Sequence, residues 1–146
     1  MNFKVMDASL SKQKELTDFT RTATWIDIIA GARPNFMKIA PIIHALRAQA
    51  DDAQMIGIRL IHTGQHYDAK MSADFFKQFD LPNPHLNLEV GSGSHAQQTA
   101  NIMQKYEAVL LEAKPNLCLV VGDVNSTLAC SITAKKMGIR VAHVEA

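Results

Sequence analysis

The sequence is poor in cysteine and contains no long apolar run. Cys118 and Cys130 are the two cysteines of the 146 residues, and their spacing fits neither a CxxC redox pair nor a zinc knuckle. We expect both thiols to be small buried apolar groups in a reducing, cytoplasmic setting. No run approaches the ~20 apolar residues that span a bilayer. Residues 1–19 lack an uninterrupted apolar segment, so we also expect no secretory signal.

An excess of charge of one sign is also missing. The formal net charge is +1 and 20% of the residues are charged, with basic residues scattered rather than clustered beside aromatic ones. This distribution disfavours binding to nucleic acid or to an anionic membrane surface. Because 47% of the residues are hydrophobic, the chain can bury a core of ordinary size.

Apolar runs alternate with segments of helical spacing from residue 25 onward. Strands are predicted at 25–30, 57–62, 117–121 and 139–144, and helices at about 36–46, 69–79, 94–114 and 125–138. Pro41 predicts either a kink in the first helix or a helix that begins there. The order predicts a doubly wound parallel sheet, a Rossmann-like α/β fold over residues 25–146, after an N-terminal extension, 1–24. A covering helix should follow the last strand, so we expect part of a longer protein.

Two carboxylates follow neighbouring strands in this pattern. Asp123 ends the run Leu117–Val121 after one glycine, and Glu145 ends the run 139–144. A strand–helix–strand unit places its two strands parallel, so both side chains should emerge at the sheet edge where such folds bind ligands. This predicts an acid/base site. The alternative for Asp123 is a helix N-cap, because Asn125 and Ser126 follow it.

The first strand runs into the turn GARPNFMK. Gly31 allows a tight turn, and Arg33 and Lys38 place two cations beside the start of a helix, where they oppose the helix dipole. An anion held by these side chains and free backbone N–H groups would explain the arrangement. The alternative is two solvated side chains. The turn is neither a Walker A loop nor GxGxxG, so nucleotide binding by those motifs is not supported.

The histidines do not predict a metal site. His62 and His66 are four residues apart, but Gly64 and the preceding strand argue that they do not share a helix. His66 lies in a strand-end loop and either contacts a polar ligand or is an ordinary loop histidine. His143-x-Glu145 lacks the PCxxC of zinc deaminases, so that interpretation is rejected.

Four motifs, GARPNFMKIAPI, HTGQHYDAKMS, VVGDVNSTLA and VAHVEA, occur in order. Together they resemble the N-terminal domain of the non-hydrolysing UDP-N-acetylglucosamine 2-epimerases, over residues 26–146. The resemblance implies the first domain of a two-domain, glycosyltransferase-B-type architecture. It also implies interconversion of UDP-GlcNAc and UDP-ManNAc through loss of the C2 proton, expulsion of UDP and re-addition to 2-acetamidoglucal. No cofactor and no metal are implied.

The resemblance also implies roles for individual residues. Asp123 and Glu145 match the catalytic carboxylates, whereas Gly31, Arg33, Lys38 and His66 match substrate-binding positions, and Gln65 with His66 matches a pair that lines a regulatory UDP-GlcNAc site in some members. Ala32 and Asn35 replace the commoner Thr and Glu, and Asp68 replaces Gln or Glu.

Several alternatives stay open from the sequence. The parent could be the hydrolysing relative, which releases ManNAc and UDP, or the chain could be a non-catalytic nucleotide-sugar-binding module; a glycosyltransferase of the same architecture is a more distant reading. The resemblance further implies a role in cell-surface polysaccharide biosynthesis and a full-length homodimer that binds UDP-GlcNAc and UDP. By itself the 146-residue chain is expected to be inactive.

Overall fold

A computed structural model of the chain describes residues 24–49, 56–64 and 76–145. Its strands and helices, numbered in chain order, are β1 (Thr24–Ala30), α1 (Arg33–Ala48), β2 (Ile56–His62), β3 (Leu86–Asn87), α2 (His95–Glu112), β4 (Leu117–Val121), α3 (Asn125–Lys136) and β5 (Arg140–Val144). Residues 76–78 are also helical; the rest of the helix predicted over 69–79 is outside the described residues, apart from Phe79. The extension predicted over 1–24 lies outside them too, except for Thr24, with which β1 begins.

The described strands form one sheet in the order β3-β2-β1-β4-β5, and every neighbouring pair is parallel. The predicted doubly wound, Rossmann-like sheet is therefore confirmed. From β1 the chain builds outward through β2 and β3, and it then returns to the other side of β1 to add β4 and β5. The strand order reverses between β1 and β4, and folds of this kind bind ligands at the carboxyl ends of the strands beside such a point.

Four strands were predicted from the sequence, whereas the described residues form five. The segment 81–93, predicted as a loop, contains β3, whose two residues pair with Ile61 and His62 of β2. Leu86 and Asn87 are exposed and lie among prolines and asparagines, so no apolar run marks them as a strand.

Helix α1 continues through Pro41 without ending, so the alternative of a helix start at Pro41 was wrong. Pro34 occupies the first turn, where a missing N–H costs nothing. Pro41 cannot bond the carbonyl of Met37, but both residues are exposed, so water can hydrate that carbonyl. Helix α2 begins as predicted with a capping box. The Ser94 hydroxyl accepts a hydrogen bond from the Gln97 N–H, and the Gln97 side-chain oxygen accepts one from the Ser94 N–H.

The sheet is covered on both faces, and side chains alternate between them along each strand. Ile26, Ile28 and Ala30 of β1 pack with α1, whereas Ile29 packs with α2 and α3. In β4, Leu119 and Val121 share the α1 side. Cys118 and Cys130 are free and fully buried on the α2/α3 side, as predicted. No helix among the described residues is long and apolar enough to cross a membrane.

Candidate functional site

The turn between β1 and α1 is built around the side chain of Asn35. This residue is buried, and its Oδ1 accepts hydrogen bonds from the N–H groups of Gly31 at 3.2 Å and Ala32 at 2.8 Å. The amide thus occupies two backbone N–H groups of this turn, so they are not free for an anion as predicted. At the other end of the side chain, Nδ2 donates to the carbonyl oxygen of Val121 at 2.9 Å. Sequence reasoning missed this role, because Asn35 was treated only as a departure from a family motif.

The turn between β4 and α3 lies directly beside the first turn. The Val121 carbonyl accepts a second hydrogen bond, from the Thr127 hydroxyl at 2.9 Å. Gly122 has a φ of +72°, which favours glycine. A Cβ on Gly122 would stand 3.6 Å from Asn35 Nδ2 and 3.9 Å from Lys38 Nζ, so the two turns and the Lys38 ammonium share one small space.

Further contacts hold this second turn in place. The Gly122 N–H donates to the Val144 carbonyl at 3.0 Å, and His143 Nε2 lies 2.6 Å from the Gly122 carbonyl oxygen. On the α2 side, Asn125 Nδ2 donates to Gln98 Oε1 at 3.0 Å and contacts the ring of His95. The backbone around Asp123 is therefore fixed from strands and helices on several sides.

Asp123 itself projects from this turn into solvent. Among the side chains that the structure describes, its carboxylate has no hydrogen-bond or ion-pair partner. The N-cap of α3 is Val124, without a side-chain cap bond, so the N-cap alternative for Asp123 was wrong. A single residue decides this outcome: the helix begins at Asn125, which leaves Asp123 one position too early to cap it.

Glu145 lies at the same edge of the sheet, directly after β5. Its φ is +56°, and its carboxylate forms an ion pair with the ammonium group of Lys38 from α1. Lys38 is thus a partner of the second predicted carboxylate rather than a solvated cation. Both side chains remain partly exposed, at 36% and 57%, so the pair is open to solvent and to an incoming ligand.

The structure therefore brings Gly31, Lys38, Asp123 and Glu145 together at the carboxyl edge, around the point where the strand order reverses. Gln65 and His66 lie outside the described residues, and so does the side chain of Arg33. The described part of the chain contains no group of three or more His, Cys, Asp or Glu arranged to hold a metal ion.

His62, at the end of β2, is buried beside aromatic rings. Its ring stacks on Phe36 at 5.7 Å between centroids and meets Phe76 edge-on at 6.4 Å. Burial lowers the pKa of His62 below its ordinary value, against a smaller opposing effect of a hydrogen bond with Asn87. The next residue, Thr63, is fully buried, and its hydroxyl finds no partner among the described residues.

A buried ion pair joins the neighbouring strands β1 and β2, and it was not predicted from the sequence. Arg59 of β2 binds Asp27 of β1 with two hydrogen bonds, of 2.7 and 2.8 Å, and Tyr106 of α2 donates to the same carboxylate at 2.9 Å. Burial raises the pKa of Asp27, while the bonds and the charge of Arg59 oppose that rise. Burial also raises the pKa of Tyr106, and that of Cys118 to about 12. The only signal in the sequence was a charged residue inside each of two apolar strands.

This fold and sequence match known proteins. Residues 48–146 match the family model described as UDP-N-acetylglucosamine 2-epimerase. The chain is 46% identical over 118 residues to a UDP-N-acetylglucosamine 2-epimerase homolog of Methanococcus maripaludis, which covers 81% of this chain and 31% of that protein. It is 42% identical over 118 residues to a UDP-2,3-diacetamido-2,3-dideoxy-D-glucuronate 2-epimerase of Pseudomonas aeruginosa, with 81% and 32% covered.

Solved structures agree with the sequence matches. A crystal structure of the Methanocaldococcus jannaschii UDP-GlcNAc 2-epimerase in complex with UDP-GlcNAc and UDP superposes with a TM-score of 0.77 at 44% identity, over 84% of this chain and 32% of that one. The chain thus spans about a third of the length of these relatives, with 31% and 32% of each covered. The chain belongs to the UDP-N-acetylglucosamine 2-epimerase family.

Proposed function

We propose that this chain is the N-terminal domain of an enzyme that interconverts UDP-GlcNAc and UDP-ManNAc. The family membership and the UDP-GlcNAc and UDP complex of the M. jannaschii relative support this substrate class. Residues 25–146 would form the first Rossmann-like domain and residues 1–24 an extension to it. A second domain would close a cleft over the carboxyl edge, and we expect the whole enzyme to be a cytoplasmic homodimer without cofactor or metal.

The observation that carries the proposal is the contrast between the fixed turn and the free carboxylate of Asp123. A catalytic acid or base needs a firmly positioned backbone and an oxygen within hydrogen-bond reach of the proton that it transfers. Asn35, Thr127 and His143 hold the turn, whereas the Asp123 carboxylate has no hydrogen-bond or ion-pair partner among the described side chains. Asp123 can therefore exchange a proton with a ligand at no cost in broken protein contacts.

The reaction needs proton transfer and charge stabilisation but no oxidant. A base takes the proton from C2 of the sugar, the C2–H electron pair forms the C1=C2 double bond, and the C1–O bond breaks so that UDP leaves as an anion. UDP then re-adds at C1 while an acid returns a proton to the opposite face of C2. We assign the proton transfers to Asp123 and Glu145 jointly, because the geometry does not divide the base from the acid between them.

Lys38 would serve the leaving diphosphate. Its ammonium group now neutralises Glu145 across a partly exposed ion pair, and such pairs are weak, about 0–1 kcal/mol. A diphosphate brings more negative charge than one carboxylate, so it can draw Lys38 away and release Glu145 for proton transfer. Arg33, Gly31 and His66 are proposed to contact the same substrate, and Gln65 with His66 a regulatory UDP-GlcNAc.

Deuterium incorporation tests the proposal. The chain is joined to the part of the M. jannaschii enzyme that it does not match, and this fusion is called the completed protein. Incubation with UDP-GlcNAc in D₂O should place deuterium at C2 and yield UDP-ManNAc. Asp123→Asn should lower kcat by about 10²–10⁴-fold, whereas Glu112→Gln, an exposed carboxylate at the far end of α2, should leave kcat unchanged.

Other products would change the assignment. No deuterium at C2 in a folded completed protein that still binds UDP would contradict an epimerase. Free ManNAc with UDP would indicate the hydrolysing reaction. The P. aeruginosa relative acts, by its name, on a diacetamido glucuronate, so faster exchange with that sugar nucleotide would keep the C2 chemistry and change the substrate. UDP binding without turnover by the completed protein would favour a binding module.

A further inference from the structure

Of the side chains that hold the turn between β4 and α3, His143 makes the contact nearest to Asp123 along the backbone. It lies on β5, pairs with Val120 in register and precedes Glu145 by two residues. Its Nε2 lies 2.6 Å from the carbonyl oxygen of Gly122. A carbonyl oxygen can only accept, so Nε2 carries the hydrogen and donates it. The imidazole is therefore a hydrogen-bond donor to the turn that carries Asp123.

This hydrogen bond acts on one particular peptide group. The Gly122 carbonyl belongs to the peptide whose nitrogen is that of Asp123, so the orientation of this carbonyl sets the start of the Asp123 backbone. On the other side of Gly122, the N–H donates to the Val144 carbonyl at 3.0 Å. β5 thus holds Gly122 at both its N–H and its C=O. The φ of +72° makes such support necessary, since glycine is free to leave this conformation.

The other contacts of the turn lie on either side of this peptide. Asn35 and Thr127 both bond the Val121 carbonyl, one peptide earlier, and Asn125 reaches Gln98 two residues later. Within the described part of the chain, His143 makes the only hydrogen bond to the peptide between Gly122 and Asp123. The orientation of the Asp123 backbone, from which its carboxylate projects, therefore depends directly on this imidazole.

We propose that His143 is a positioning residue that acts through the Gly122 carbonyl to aim Asp123 at the sugar. The part of the inference that concerns turnover depends on the proposed function. The part that concerns order of the Asp123 backbone does not, and it can be measured in the 146-residue chain alone.

Three variants separate this role from a general effect on folding. His143→Phe keeps a ring but has no donor, whereas His143→Gln keeps an N–H group at a similar reach. Arg140→Met is the matched control, because Arg140 also bonds a β4-side carbonyl from β5, that of Asn116 at 3.4 Å, but at the opposite end of the strand. Should His143→Phe fail to fold, His143→Asn replaces it, since its shorter amide cannot reach the carbonyl.

The first measurement is backbone order by NMR relaxation in the 146-residue chain. The Asp123 order parameter should fall from about 0.85 toward 0.6 in His143→Phe and stay high in His143→Gln and Arg140→Met. The second is kinetics of the completed protein. His143→Phe should lower kcat by about 10- to 100-fold with KM within about twofold, and His143→Gln should restore most of the rate.

Each outcome decides the inference. An unchanged Asp123 order parameter in His143→Phe would overturn it, as would a wild-type kcat in that variant. A rate loss that His143→Gln does not rescue would also overturn it, since the donor would then be irrelevant. If the wild-type completed protein shows no exchange at C2, the proposed function fails, and the order parameters alone still decide whether His143 positions Asp123.

Discussion

The side-chain nitrogen of Asn35 donates a hydrogen bond to the carbonyl oxygen of Val121 at 2.9 Å, joining turns that are 86 residues apart. The same side chain accepts from the N–H groups of Gly31 and Ala32. One buried amide thus ties the end of β1 to the end of β4, at the point where the strand order reverses. This tie gives the candidate site its shape before any ligand is present.

Asn35→Ala should therefore be costly. It leaves the buried N–H of Gly31 and that of Ala32 without their acceptor, and each unsatisfied buried group costs about 1–3 kcal/mol. We expect the free energy of unfolding to fall by about 2–4 kcal/mol in urea titrations. Asn116→Ala is the control, because Asn116 is exposed and its side-chain oxygen accepts one hydrogen bond among the described residues, from the Trp25 N–H. Equal losses in the two variants would show that the buried network adds nothing.

A comparison of two glycines separates the effect of backbone strain on stability from the effect of an added methyl group on UDP binding. Gly122 and Gly138 have φ values of +72° and +76°. Alanine at either position should lower stability by about 1–2 kcal/mol. Only at Gly122 does the new methyl group meet Asn35 and Lys38; at Gly138 nothing lies within 4 Å. Titration calorimetry of UDP with the completed protein should show weaker binding for Gly122→Ala alone, and equal binding would place the ligand elsewhere.

Removing one member of the Asp27–Arg59 pair should lower the free energy of unfolding more than removing both members. Arg59→Met leaves the buried Asp27 carboxylate with the Tyr106 hydroxyl as its remaining hydrogen-bond donor among the described residues, and we expect a loss of about 3–5 kcal/mol. Asp27→Leu combined with Arg59→Met removes both charges and should recover most of that loss. Chemical denaturation measures both variants, with the exposed Arg47→Met as control. A double variant no more stable than Arg59→Met would contradict this account.

His62 makes stability depend on pH in the mildly acidic range. Burial lowers its folded-state pKa below the ordinary 6.5, so the unfolded chain binds the proton more readily. Stability should be full above pH 6.5 and should fall as the pH drops from there toward the folded-state pKa, by at most about 1.4 kcal/mol per pH unit. Unfolding free energies of His62→Phe should lose this slope, whereas His44→Gln, at an exposed ring, should keep it.

The sheet could be predicted from the sequence because its central strands, β1, β2 and β4, are largely buried on both faces. Leu117–Val121 has no alternation of apolar and polar residues, and such runs occur in parallel sheets covered by helices. The parallel order in turn predicts that Asp123 and Glu145 lie at one edge of the sheet. The two-residue β3 could not be predicted in this way, because its pairing with β2 is the only sign of it.

The contacts that shape the site were beyond the reach of sequence patterns. Asn35 and Val121, or His143 and Gly122, are distant in sequence, and each contact depends on how β4 and β5 are aligned beside β1. A polar residue inside an apolar strand, such as Asp27, indicates that a partner must exist but does not say which residue it is. The partner is identified only by the register of the strands in three dimensions, which places Arg59 directly opposite Asp27.

The two buried thiols give this domain a built-in reporter. Cys118 of β4 lies beside Asp27 in register, Cys130 of α3 packs on the same face of the sheet, and burial raises the pKa of each. A thiol-reactive dye can modify them only when α2 and α3 lift from the sheet, because thiolate and access are both needed for reaction. Labelling rates under native conditions would therefore time the opening of that helical layer without any engineered probe.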